Sequence, residues 1–168
     1  RASIAPAPLI LYTSGTTGRP KGVALDPALL ATRANVLEYR KAMAEIIPVD
    51  ERSRFLLSLP LHHGAGPGSA LFCLRAGGSV VFQPHFEAEE ALRLISTYKI
   101  TSWMAVPTMV HRLRALPERV RAKFDRSSMQ TINIGAAAVP MEIKAWALEY
   151  FGAQCLVFEG YGMSEDNS

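Results

Sequence analysis

Only two cysteines, Cys73 and Cys155, occur in the 168 residues, far apart and each among apolar neighbours. That spacing excludes a disulfide framework and a cysteine metal site, and it reads as two reduced core thiols of a cytoplasmic protein. No apolar run approaches the roughly 18–20 residues that a membrane-crossing helix needs, so no membrane span is expected. Internal repeats and low-complexity segments are also lacking. Charge of one sign is scarce, with a net value of only +3. Much of that excess sits in one stretch: Arg112, Arg114, Arg119, Arg121, Lys123 and Arg126 against Glu118 and Asp125. The stretch lacks the repeated aromatics that stack on bases, so no nucleic-acid partner is expected, and it reads as the solvated face of a helix. The chain has no initiator Met, and its first residues, Arg1-Ala2-Ser3-Ile4-Ala5-Pro6, form neither a secretory signal nor a transit peptide. Its end, Ser164-Glu165-Asp166-Asn167-Ser168, follows without a further helix or strand. Residues 1–168 are therefore expected to be a partial domain, cut at both ends, whose own remainder is missing.

What is present is an ordinary globular composition, 49% hydrophobic and 20% charged, enough to bury a core. Short β-branched and aromatic runs predict strands at 9–13, 55–59, 79–82, 102–106, 131–134 and 154–158. Helix-period stretches lie between them. Asp26-Pro27 offers a cap followed by proline at the first helical position, opening a helix over 27–46. Residues 87–99 carry Ala88, Ala91, Leu92 and Ile95 on one face. A third helix starts at Pro140, turns Ile143, Ala147, Tyr150 and Phe151 inward, and stops at Gly152. Such alternation predicts an α/β fold, with layered, largely parallel sheets flanked by helices. Ligands collect where loops leave the carboxyl ends of such strands, so the loops after residues 13, 59, 106, 134 and 158 carry the functional interest.

The first of these loops is Thr13-Ser14-Gly15-Thr16-Thr17-Gly18-Arg19-Pro20-Lys21-Gly22. Its glycines let the backbone turn sharply and bring N–H groups to an anion, its hydroxyls donate to phosphate oxygens, and Lys21 adds a full positive charge. This chemistry suits a polyphosphate, although a plain turn rich in glycine and hydroxyls has the same composition. A Walker loop is excluded because Gly22, not Ser or Thr, follows Lys21.

The full string from Tyr12 to Val23 resembles the signature of the adenylate-forming (AMP-binding) superfamily, most like its acyl-CoA synthetases. Three further segments resemble that family in its order. Pro60-Leu61-His62-His63-Gly64-Ala65-Gly66 is similar to its His loop, with His62 in the aromatic position. Gly135-Ala136-Ala137-Ala138-Val139-Pro140 is similar to its adenine-side loop. Tyr161-Gly162-Met163-Ser164-Glu165 resembles its Tyr-Gly-x-Thr-Glu segment, with Ser in place of the commoner Thr. Val106-Pro107-Thr108 matches the end of a substrate-side strand. The resemblance implies the central part of the large N-terminal domain of such an enzyme. It implies an activity in which ATP activates a carboxylic acid to an acyl-adenylate and the acyl group passes to coenzyme A.

Site roles follow from the resemblance alone. Thr13, Ser14, Gly15, Thr16, Thr17, Gly18 and Lys21 would hold the β- and γ-phosphates of ATP, with Thr16 and Lys21 catalytic. Gly135, Ala136 and Ala137 would lie along the adenine, and Tyr161 would pack its ring on the adenine face. Within Gly160-Tyr161-Gly162-Met163-Ser164, the Ser164 hydroxyl would donate to the α-phosphate. Glu165 would be catalytic as the Mg²⁺ ligand. His63 and Gly66 would line the acid pocket. Trp103 reads as a core residue, with pocket lining the alternative.

Between Pro60 and Phe86 the chain has neither Asp nor Glu. A buried substrate ammonium without a counter-charge costs several kcal/mol, so the expected acid is a fatty, aryl or other plain one. The small-residue run over 64–70 is expected to leave room for a bulky acyl group. Other classes remain open at this point: a nucleotide-binding interaction module or pseudoenzyme without ligase activity, or an adenylation domain that loads a carrier protein.

Overall fold

The structure, a computed structural model, describes residues 9–13, 18–25 and 49–162. It comprises two units, residues 1–48 with 162–168 and residues 49–161. The expected helix over 27–46 lies outside the described residues.

In the first unit, β1 (Leu9–Thr13) pairs antiparallel with β2 (Lys21–Leu25). The expected first strand is present as read. The second strand was hidden in what reads as the tail of the phosphate loop. Leu11 and Val23, register partners, share the buried face of this hairpin, while Tyr12 and Lys21 are exposed.

The second unit is a five-stranded parallel sheet in the order β4-β3-β5-β6-β7. The strands are β3 (Arg54–Leu57), β4 (Ser79–Phe82), β5 (Ser102–Ala105), β6 (Thr131–Gly135) and β7 (Leu156–Gly160). Helices α1 (Ala65–Arg75), α2 (Ala88–Tyr98), α3 (Pro107–Ala115), α4 (Glu118–Arg121) and α5 (Met141–Phe151) connect them. The expected layered α/β class is what forms. From β3 the chain steps outward to β4, whereas from β5 it steps the other way through β6 to β7. Parallel crossovers are right-handed, so α1 covers one face and the connections from β5 onward cover the other. Side-chain contacts agree: Ser69 of α1 reaches Met104, and Lys144 of α5 reaches Glu159, whose strand neighbours Phe158 and Gly160 face the opposite way.

The core is the sum of these faces. Ala91, Leu92 and Ile95 on α2, Val110 and Leu113 on α3, and Ile143, Ala147 and Phe151 on α5 bury against Leu56, Trp103, Ile132 and Ile134 of the sheet. Each large aliphatic side chain among them contributes about 1.5–3 kcal/mol by leaving water. Trp103 is a core residue, as read. It is 1% exposed, donates its indole N–H to Ser58 Oγ at 3.1 Å, and stacks on Phe86 with centroids 6.1 Å apart.

Two readings shift. The last strand runs two residues later than expected, so Glu159 and Gly160 belong to it rather than to the following loop. The basic stretch is only partly a solvated face. Arg114, Arg119 and Lys123 are exposed, but Arg112 lies over Phe86, and Arg121 and Arg126 pack on the Tyr150 ring. Arg121 also lies over Trp146, ion-pairs with Glu118 at 2.5 Å, and keeps only 14% of its side chain exposed. Aromatic rings attract guanidinium groups and bury their stems, which sequence charge alone does not show.

Candidate nucleotide and acid site

Lys21 stands directly opposite Thr13 in the β1–β2 register. Thr13 ends β1 and Lys21 begins β2, so the two stand side by side and the next described element after β1 is a strand, not a helix. Gly18, with φ +78°, supplies the left-handed residue that brings the chain back. Ser14, Gly15, Thr16 and Thr17 lie outside the described residues, as do Met163, Ser164 and Glu165.

In the second unit the direction of every strand is the same, so the loops after β3, β5, β6 and β7 leave one edge of the sheet. The crossovers reverse direction between β3 and β5, and an open parallel sheet forms its ligand crevice at such a switch point. Pro60–His63 leaves β3 there, and Val106-Pro107-Thr108 leaves β5 beside it. The His63 N–H bonds the Pro60 carbonyl at 3.2 Å, a tight turn that stacks the His62 and His63 rings 4.4 Å apart, both exposed. Gly66 is in the first turn of α1, not in a loop. A Cβ on it would lie 3.1 Å from Leu59 Cβ and 3.2 Å from Leu57 Cδ1. The room that the small-residue run leaves at this position is thus taken up by β3, letting the helix sit close to the sheet. Pro67 is tolerated because a first-turn N–H has no intrahelical partner to lose.

Gly135 and Gly160 are the last residues of β6 and β7 and are register partners. A Cβ on Gly135 would overlap the Gly160 carbonyl oxygen, so the two strand ends approach more closely than any side chain allows. Ala136 follows with φ +60°, a left-handed conformation that costs a non-glycine residue roughly 1 kcal/mol. Strain of this kind gathers where a backbone must present itself to a ligand. Ala136 and Ala137 are exposed, and Tyr161 offers 89% of its surface. The edge thus presents flat, small-residue backbone and one free aromatic ring, both suited to a planar base. Glu159 is held by Lys144 at 3.0 Å, an ion pair that positions the residue two before Tyr161.

A family model described as AMP-binding enzyme matches residues 6–167. The chain belongs to the AMP-binding enzyme family. It is 35% identical over 162 residues to 2-succinylbenzoate–CoA ligase of Bacillus licheniformis, covering 95% of this chain and 30% of that protein. It is 31% identical over 156 residues to the long-chain-fatty-acid–CoA ligase FadD13 of Mycobacterium tuberculosis, covering 93% of this chain and 29% of that one. The AMP-binding fold is also that of the N-terminal domain of FACL13 from Mycobacterium tuberculosis, with a TM-score of 0.79, 28% identity, and coverage of 99% of this chain and 40% of that one. The chain therefore spans about 30% of the length of these curated relatives. Among the described residues, no helix is long and apolar enough to cross a membrane.

Three residues at this edge escape the sequence analysis. Glu159 falls in the loop expected after residue 158, and its partner Lys144 is not singled out. Asn133 was passed over inside an apolar strand, although a lone amide in Thr-Ile-Asn-Ile was the available signal.

Proposed function

We propose that this chain is the nucleotide-binding part of an AMP-forming acid–thiol ligase, which activates a plain carboxylic acid with ATP and passes it to coenzyme A. The observation that carries this reading is the single edge of the parallel sheet. It presents the His62-His63 turn, the Gly135–Ala137 loop and Tyr161 together, in a chain that belongs to the AMP-binding enzyme family. The glycine-bearing loop over Gly135–Ala137 and the Tyr161 ring receive the adenine. Thr13, Ser14, Gly15, Thr16, Thr17, Gly18 and Lys21 receive the β- and γ-phosphates, with Thr16 and Lys21 easing the departure of pyrophosphate. Ser164 donates to the α-phosphate. Glu165 is the residue assigned to Mg²⁺, an ion that needs one or two carboxylates beside phosphate oxygens and supplies charge stabilisation there. His63 lines the acid pocket, and Gly66 lets the start of α1 pack against Leu57 and Leu59 beside it in sequence.

The named relatives act on 2-succinylbenzoate and on long-chain fatty acids, and the absence of acidic residues between Pro60 and Phe86 is in keeping with such unaminated acids. A cytoplasmic enzyme of acyl metabolism fits the reduced, buried Cys73 and Cys155. The test is acid-dependent pyrophosphate release by the full-length protein, screened over short, long and aromatic acids and amino acids, with and without coenzyme A. Release with plain acids and thioester formation with coenzyme A are expected. ATP binding without release for any acid would overturn the ligase reading in favour of a nucleotide-binding module.

A further inference from the structure

Across the sheet, Phe82, Leu57, Met104, Asn133 and Phe158 form one register row on one face. Asn133 is the only amide in that row. Its Oδ1 is buried and meets no hydrogen-bond partner among the described residues, a desolvation penalty with nothing to offset it. The fold itself gains nothing from that atom, since an apolar side chain would fill the row without the penalty. What the carboxamide does touch is the end of β7. An added Cβ on Gly160 would fall 2.5 Å from Asn133 Oδ1, 2.7 Å from Nδ2 and 3.0 Å from Cγ. Oδ1 and Nδ2 lie nearer than Cγ, so the end of the carboxamide is aimed at Gly160. Met104 and Phe158 flank it on the neighbouring strands, and these limit its escape.

We infer that Asn133 is a positioning residue whose carboxamide end holds the Gly160 backbone, and through it Tyr161, at the height the nucleotide needs. This rests on the ligase reading above for the identity of the nucleotide, but the size coupling between residues 133 and 160 does not. A side chain at position 160 would meet the Asn133 amide before any other group. Gly135 locks the same strand end from the side, through the Gly160 carbonyl.

The experiment measures equilibrium ATP binding and thermal midpoints for the full-length protein and four variants. Gly160→Ala is expected to weaken ATP binding by about tenfold or more, since an ångström-scale misplacement costs up to about 100-fold. The double variant Asn133→Ala/Gly160→Ala, which frees the space, is expected to recover to within about threefold of Asn133→Ala alone, because neighbouring sites couple. Asn133→Leu fills the volume without the unpaired oxygen but turns two bulkier methyl groups toward Gly160. It is expected to raise the thermal midpoint while weakening ATP binding, a split that a merely structural role would not produce. Normal ATP binding by Gly160→Ala, or a double variant as weak as Gly160→Ala, would overturn the inference. Failure of the unmodified protein to bind ATP would instead overturn the ligase reading, so the two failures are told apart.

Discussion

Thr13 and Lys21 face each other across the final register pair of the β1–β2 hairpin. The backbone positions that carry a hydroxyl and an ammonium group are thereby set side by side, with the Lys21 side chain exposed.

Removing that ammonium tests the phosphate assignment. Lys21→Met is expected to lower the rate of pyrophosphate release by about 100-fold, the usual scale for losing one charge-stabilising donor. Lys21→Arg is expected to recover part of it. A Lys21→Met enzyme with an unchanged rate would remove Lys21 from the catalytic set.

Ala136 holds a left-handed conformation at the start of the adenine-side loop. Ala136→Gly relieves strain of roughly 1–2 kcal/mol but adds about 0.4–1 kcal/mol of unfolded-chain entropy. A net gain of about 0–1.6 kcal/mol is expected by chemical denaturation, with weaker ATP binding as the loop loses its preset shape. A loss of stability on this substitution would show that the strain is not there.

Gly66 is a packing position between α1 and β3 before it is anything else. Gly66→Ala asks Leu57 and Leu59 to give way slightly, and an overpacking cost of about 1–3 kcal/mol is expected to exceed the roughly 1 kcal/mol that Ala gains over Gly in a helix. Stability and all acid activities should fall together. A variant of wild-type stability that selectively loses long acids would place Gly66 on the pocket wall instead.

Burial pushes the Cys155 thiol up to about 11 from its ordinary 9.0, and Cys73 moves in the same direction. The folded protein therefore keeps a proton that the unfolded chain releases between about pH 9 and pH 11. Stability that is complete below pH 9 is lost as the pH rises through 11. Comparing denaturation midpoints at pH 8 and pH 10.5, Cys155→Ala is expected to show a smaller alkaline loss than the unmodified protein. Equal losses would assign the alkaline limb to other groups. Both thiols should also resist thiol reagents until the protein unfolds.

Local pattern determined much of this protein. Strands 9–13 and 79–82 match their residues, and the helix over 87–99 forms between its two terminal caps, because amphipathic periodicity and β-branched runs act within a few residues of chain. The parallel α/β class followed from strand–helix alternation, and the loop motifs could be read because each keeps its chemistry in one contiguous string. Tertiary structure decided the rest. Strand β2 is a strand because β1 supplies its hydrogen bonds, and α1 is a helix despite Gly66, Pro67 and Gly68 because the sheet buries it. The order β4-β3-β5-β6-β7, and with it the switch point beside the His62-His63 turn, depends on right-handed crossovers between residues far apart in sequence. Arg121 and Arg126 leave the solvent only because Tyr150 arrives from another helix. Asn133 acquires its meaning only when parallel pairing aims its amide end at Gly160, a relation between two strands that no single stretch of the sequence contains.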